Sequence, residues 1–141
     1  MEGALFRLSG QRAKHYPDVM RTFERYAAGR AAKALAVQVY TATGEWPVTE
    51  RYGLTAQVRA AATSIGSNLC EGAARRGPRE FRRFLDQALG SHAELEFQLA
   101  LARDLGYLTE GAAGELDKRL QECGRLLWQV YRRAREQAER S

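Results

Sequence analysis

Five arginines crowd into the nine residues from position 75 to position 83: Arg75, Arg76, Arg79, Arg82 and Arg83. A guanidinium is always charged, and its planar fork meets two phosphate oxygens at once, so this residue type at this density suits a phosphate-rich ligand. A second group, Arg132, Arg133 and Arg135, follows near the C-terminus, and 19 of the 22 basic side chains are Arg. Metal or hydrolytic chemistry is poorly supplied. The only histidines are His15 and His92, and neither follows a Glu by three, whereas a di-iron site in a helical bundle needs two Glu-x-x-His pairs. Cys70 and Cys123 fit no metal or redox spacing and read as small core residues. No phosphate-cradling Gly-x-x-x-x-Gly-Lys-Ser/Thr loop and no Gly-x-Ser-x-Gly elbow occurs. The residues predict a binding protein with no enzymatic activity, no cofactor and no metal.

The elements that must position these arginines are helical. The chain has 141 residues, three of them Pro, and is rich in Ala, Leu, Arg and Glu, which predicts a single all-α domain. Residues 1–24 lack a clear amphipathic period and are expected to be a loosely ordered N-terminal extension, with the bundle over 25–141. Ala28, Ala32, Leu35, Val39 and Ala42 give a first helix over about 26–43. Leu54, Val58, Ala61, Ile65, Leu69 and Ala73 give a second over about 54–75. Gly77-Pro78 punctuates, and a third helix over about 78–105 points Phe81, Phe84, Leu85, Ala88, Leu89, His92, Leu95, Leu99 and Ala102 inward. After Gly106, a fourth runs from about 110 to 135 or beyond on Leu116, Leu120, Cys123, Leu127, Val130 and Ala134. Short connections predict an antiparallel up-down-up-down four-helix bundle. No apolar run approaches a membrane span and the first residues lack a signal-peptide core, so the chain is expected to be soluble and cytoplasmic.

Charge is unevenly distributed along these helices. Residues 51–83 carry seven basic and two acidic groups, residues 84–117 one and seven, and residues 118–141 seven and three. In the expected bundle the two arginine clusters meet at one end, with Arg25, Arg30 and Lys33 nearby, while Asp104, Glu110, Glu115 and Asp117 gather at the other. Such a basic end is the footprint of a nucleic-acid binder. A solvated helix surface is the other reading, since arginines are favourable at helix C-termini. Arg79, Arg82 and Arg83 fit it less well, because they sit near a helix N-terminus. No aromatic is interleaved with the arginines except Phe81 and Phe84, which read as core.

The most distinctive stretch runs from Tyr52 to Leu108. It contains Tyr52-Gly53-Leu54, Gln57, Arg59, Ala60, Ser64-Ile65, Asn68-x-x-Glu71-Gly72, Arg75, Phe81, Phe84-Leu85, Ala88, Gly90-Ser91-x-x-Glu94-Leu95 and Leu105-Gly106-Tyr107-Leu108. With Thr41, Trp46-Pro47 and Glu50 ahead of it, this resembles the four-helix-bundle proteins also called 23S ribosomal RNA intervening-sequence proteins. The chain departs from that pattern at Gly66, where Pro is usual, at Cys70, where Ala is usual, and in lacking an early Trp-Gln pair. The resemblance implies an up-down bundle that assembles as a homo-oligomeric barrel, a pentamer in several members. It extends to the accessory variability determinant of diversity-generating retroelements, a basic pentamer that associates with a reverse transcriptase and RNA. A protein-interaction scaffold docking such a reverse transcriptase is therefore the alternative to direct RNA or DNA binding.

Asn68, Glu71 and Arg75 fall on one face of the second helix. Counting back from the 77–78 turn predicts cross-helix ion pairs of Glu71 with Arg79 or Arg83, and of Glu94 with Arg59. These residues are expected to set helix register or a subunit interface. Gly72 and Gly90 each cost about 1 kcal/mol of helix propensity, so both are expected at close helix approaches. Ser91 is expected to bond back to a carbonyl, and His92 to be a core or interface histidine.

Overall fold

A computed structural model describes residues 21–140. Four α-helices dominate: α1 (Ala27–Thr43), α2 (Leu54–Ala74), α3 (Pro78–Asp104) and α4 (Glu110–Arg140). Short 3-10 turns, Thr22–Arg25 and Val48–Glu50, precede α1 and α2, and no strand occurs among the described residues. The expected loose extension over residues 1–24 lies outside the described residues up to position 20. Its last residues form the first 3-10 turn, which packs on α1 and α2.

Local chemistry sets each boundary. Gly77 adopts φ 89°, a left-handed conformation that side chains resist, and Pro78 opens α3 where its missing N–H costs nothing. At the far end of α3, Gly106 has φ 79°. Its amide donates to the Arg103 carbonyl at 3.0 Å and the Tyr107 amide to the Ala102 carbonyl at 3.0 Å, a Schellman closure. Thr109 caps α4 by accepting the Ala112 amide at 3.1 Å on Oγ1.

Leu35, Val39, Val58, Ile65, Leu69, Leu85, Leu95, Leu116, Cys123 and Leu127 are fully buried and join the helices in one core. α1 packs on α2, α2 on α3, α3 on α4 and α4 on α1, while the diagonal pairs stay apart. α3 and α4 meet at Arg103 and Glu110 beside the turn and at His92 and Leu120 further on, and Arg82 and Ala138 line one groove far from it. Phe81, Leu89, His92 and Val130 are half-buried rather than buried, and Tyr131 and Ala138 take the inward places on the last turns of α4. From Leu127 the next equivalent position on a 3.6-residue period is four residues on, which selects Tyr131 over Val130.

Two glycines allow close approach between α3 and its neighbouring helices. A Cβ on Gly72 would lie 2.6 Å from the Phe84 Cβ and 3.1 Å from Phe81 Cδ1, as expected for α2 against α3. On Gly124 it would lie 2.7 Å from the His92 ring, whose Nε2 is bonded to the Leu120 carbonyl at 2.7 Å. Gly90 differs from expectation: it is exposed, and a Cβ there would meet nothing within 4 Å.

Candidate nucleic-acid interface

The turn between α2 and α3 gathers arginines around Phe84. The guanidinium of Arg75 lies 5.3 Å and that of Arg83 4.5 Å from the centre of its buried ring. Each also has a carboxylate on its own helix or helix end: Arg75 Nη2 donates to Glu71 Oε1 at 2.9 Å, and Arg83 Nε to Glu80 Oε2 at 2.8 Å. The cross-helix pairing expected for Glu71 is therefore not made. A partner three or four residues away on the same surface needs no long reach, and it takes the charge first.

Arg79, Arg82 and Arg83 line an open groove of about 520 Å³ together with Asp86, Ala138 and Glu139. The last turns of α4 thus lie beside the first turns of α3. Arg135 and Arg132 follow one and two turns back along α4 from Glu139, on the same face. Arg133 lies about 100° further round the helix and falls outside that strip. Arg76, Arg79, Arg82, Arg132 and Arg133 have no ion pair among the described residues. Among the described residues no carboxylate lies within ion-pair distance of them. Two carboxylates, Asp86 and Glu139, share the groove and temper its potential.

Near the start of α1 the expected neighbours are otherwise engaged. Arg30 donates to the Glu24 carbonyl and Lys33 sits 5.0 Å from the Phe23 ring centre, so both hold the first 3-10 turn in place. Tyr26 meets Phe81 edge-on with centroids 5.6 Å apart, which keeps this segment beside the start of α3. At the turn between α3 and α4, Asp104, Glu110 and Asp117 line a second groove of about 410 Å³ with Glu96 and Arg103. Glu115 instead faces Lys118 at 3.9 Å.

Three residues expected at structural contacts have different partners. Arg59 does not reach Glu94: its Nε donates to Thr43 Oγ1 at 2.8 Å and its guanidinium covers the Tyr40 ring at 4.6 Å, both on α1. Glu94 accepts from Gln98 Nε2 at 3.0 Å on its own helix. Ser91 does more than bond back. Its hydroxyl meets Ser64 Oγ at 2.8 Å, and Asn68 Nδ2 donates to Ser64 Oγ at 3.0 Å and to the Ser64 carbonyl at 2.9 Å. That chain of polar contacts ties α2 to α3 and fixes their register.

The matching blocks ahead of α2 and after α3 also meet. Tyr107 donates its hydroxyl to Glu50 Oε2 at 2.9 Å, and this bond, followed by partial burial, raises the phenol's pKa above its ordinary value. The Trp46 and Tyr107 rings pack at 5.5 Å. A family model for 23S rRNA-intervening sequence proteins matches residues 24–129. The chain belongs to that family. A crystal structure of a protein of unknown function from the S23 ribosomal protein family of Bacteroides thetaiotaomicron shares the fold. It has a TM-score of 0.65 and 23% identity, covering 74% of this chain and 98% of that one. Among curated proteins none matches the chain.

One aromatic was missed by the expectation that none interleaves with the arginines. Trp128 stands on the arginine-bearing face of α4, between Arg125 and Arg132. The spacing i, i+3, i+7 is legible in the sequence, and it separates Trp128 from the apolar stripe through Leu127 and Tyr131. The Gly124–His92 contact had no such signal, because it depends on how α3 and α4 meet.

Proposed function

We propose that this protein is a non-enzymatic, homo-oligomeric bundle of up-down-up-down helices that binds nucleic acid through its arginine-rich end. The observation that carries the proposal is the pair of guanidiniums of Arg79 and Arg82 in one groove, without an ion pair among the described residues, with Arg132 and Arg135 continuing along α4. Three arginines of α3 open onto that groove, and the last turn of α4, which carries Arg132 and Arg135 further back, forms its other wall. RNA is the first ligand to test, because the family description refers to 23S rRNA.

Homo-oligomerisation is supported by two apolar faces on diagonal helices. Phe97, Leu101 and Leu105 are exposed on α3, on a face that also carries Gly90 and Glu94 with Asp86 and Asp104 at its edges. Val37 and Tyr40 are exposed on α1, beside Arg30 and Lys33. An acidic apolar face and a basic apolar face on opposite sides of one subunit suit a head-to-tail contact, which closes into a ring. Gly90, where an added Cβ would meet nothing within 4 Å among the described residues, leaves room for a close neighbour on that face. A pentamer is the ring size implied by the family resemblance. Five copies of a modest arginine cluster then act together, and avidity raises affinity without new contacts.

The test is RNA and DNA binding by the purified protein over a salt series, with mass from light scattering and Arg79→Glu/Arg82→Glu/Arg83→Glu as the control. Electrostatic binding predicts that log K falls linearly with log salt, with a slope of about −0.7 per phosphate neutralised on a single strand. The triple variant should keep its mass and lose that binding. A folded assembly that binds neither nucleic acid at low salt refutes the reading. Capture of a reverse transcriptase that survives nuclease treatment would then favour the scaffold.

A further inference from the structure

Trp128 presents an exposed ring on the arginine strip. It leaves 44% of its surface open, whereas the other tryptophan, Trp46, is 7% exposed in the core. One face of Trp128 is held: its ring stacks on Tyr131 with centroids 5.2 Å apart and planes 24° from parallel. Tyr131 is buried, and the guanidinium of Arg135 lies 5.8 Å from its ring centre. The indole is thus packed against a fixed neighbour while much of its surface meets solvent. Arg125 and Arg132, three residues before and four after, are exposed on the same face and have no ion pair among the described residues. At 1.5 Å per residue they bracket the ring about 10 Å apart.

A large apolar ring gains most by burial, so an indole left open among cations calls for a ligand that is flat on one side and anionic on the other. A nucleotide has that form. A duplex hides its base faces, whereas an unpaired strand offers a base to stack while its phosphates run beside arginines. The contact between subunits proposed on α1 and α3 leaves this face of α4 uncovered. We infer that Trp128, braced by Tyr131 and flanked by Arg125 and Arg132, is a base-stacking platform. Its ligand is a single-stranded nucleic acid running from the groove at Arg79 and Arg82 along α4. The inference rests on the nucleic-acid reading above and narrows it to unpaired strands, RNA or DNA.

The test is titration of tryptophan fluorescence in the full chain. The probes are a short unstructured oligonucleotide, as RNA and as DNA, and a hairpin of matched length. The single strands should quench the emission, because the other tryptophan is buried beside Tyr107 at the opposite end. Trp128→Leu should bind the strands about 5- to 100-fold more weakly, with hairpin affinity, salt slope and mass unchanged. Trp128→Phe, which keeps a stacking face, should recover most of the loss. Unchanged strand affinity in Trp128→Leu, or equal losses for strand and hairpin, overturns the platform and leaves the basic end standing. A fall in mass on Trp128→Leu assigns the residue to a contact between copies and also overturns it. Absence of binding by strand and hairpin alike removes both the platform and the nucleic-acid reading.

Discussion

Replacing Gly72 by Ala should destabilise the bundle although it improves the helix. Alanine in place of glycine inside a helix gains up to about 1 kcal/mol of propensity. Here the added Cβ would lie 2.6 Å from the Cβ of Phe84, roughly 1 Å inside ordinary carbon–carbon contact. A flexible side-chain end could rotate away, but a Cβ moves only with its backbone. Phe84 is 6% exposed and covered by Arg75 and Arg83, and Phe81 Cδ1 stands 3.1 Å away on the other side. Overpacking of this kind costs about 1–3 kcal/mol, and the rigid contact puts it at the upper end. After the propensity gain, the net loss is about 2 kcal/mol. For a chain of this length that is a fall in Tm of about 6 °C. The assay is thermal and urea unfolding at one protein concentration, since an assembly's Tm varies with concentration. Gly114→Ala is the control: a Cβ there meets nothing within 4 Å, so this variant should be stabilised by up to about 1 kcal/mol. A Gly72→Ala protein as stable as the wild type, with Gly114→Ala behaving likewise, would refute the close-approach argument.

Two further outcomes follow from the same geometry. Burial first, and then Glu122, push the Cys123 thiol from an ordinary 9.0 up to about 12, so the unfolded chain releases this proton before the folded one does. The stability that this group contributes is present in full below pH 9 and disappears as pH rises towards 12, on the order of 4 kcal/mol across the window; Cys123→Ala should flatten that part of the pH–stability curve in urea titrations, and an identical slope would contradict it. Phe97 is 69% exposed, so Phe97→Arg should leave the subunit folded by circular dichroism yet reduce the scattering mass to that of a monomer, by opposing Arg30 and Lys33 of the next copy; an unchanged mass moves the subunit contact elsewhere.

The fold was legible because its signals are local. Apolar residues at three- and four-residue spacings fixed four helices, and Gly77-Pro78 and Gly106 fixed where they stop to within a residue or so. The close approach at Gly72 was legible, since an added Cβ there would meet Phe84. The partners of Arg59 and Glu71 were not. Counting residues back from a turn gives the level of a side chain along a bundle, but not which side of its helix it faces. Arg59 shares a level with residues of α3 and points instead to Thr43 and Tyr40 on α1. Glu71 and Arg75 satisfy each other on α2 before any cross-helix partner can compete.

The arginine site divides in the same way. Density alone singled out Arg79, Arg82 and Arg83, and the structure adds that the end of α4 shares their groove. What density could not do was sort Arg132 from Arg133, which one step of about 100° sends to different faces. That same step separates Trp128 from the core. Leu127 is wholly buried and Trp128, its neighbour, is turned onto the arginine strip. A helix that needed only a bulky core residue at this point already had one. An aromatic placed instead one position on, stacked on Tyr131 and bracketed by Arg125 and Arg132, adds little to the core, and the proposed base-stacking role is what would account for it.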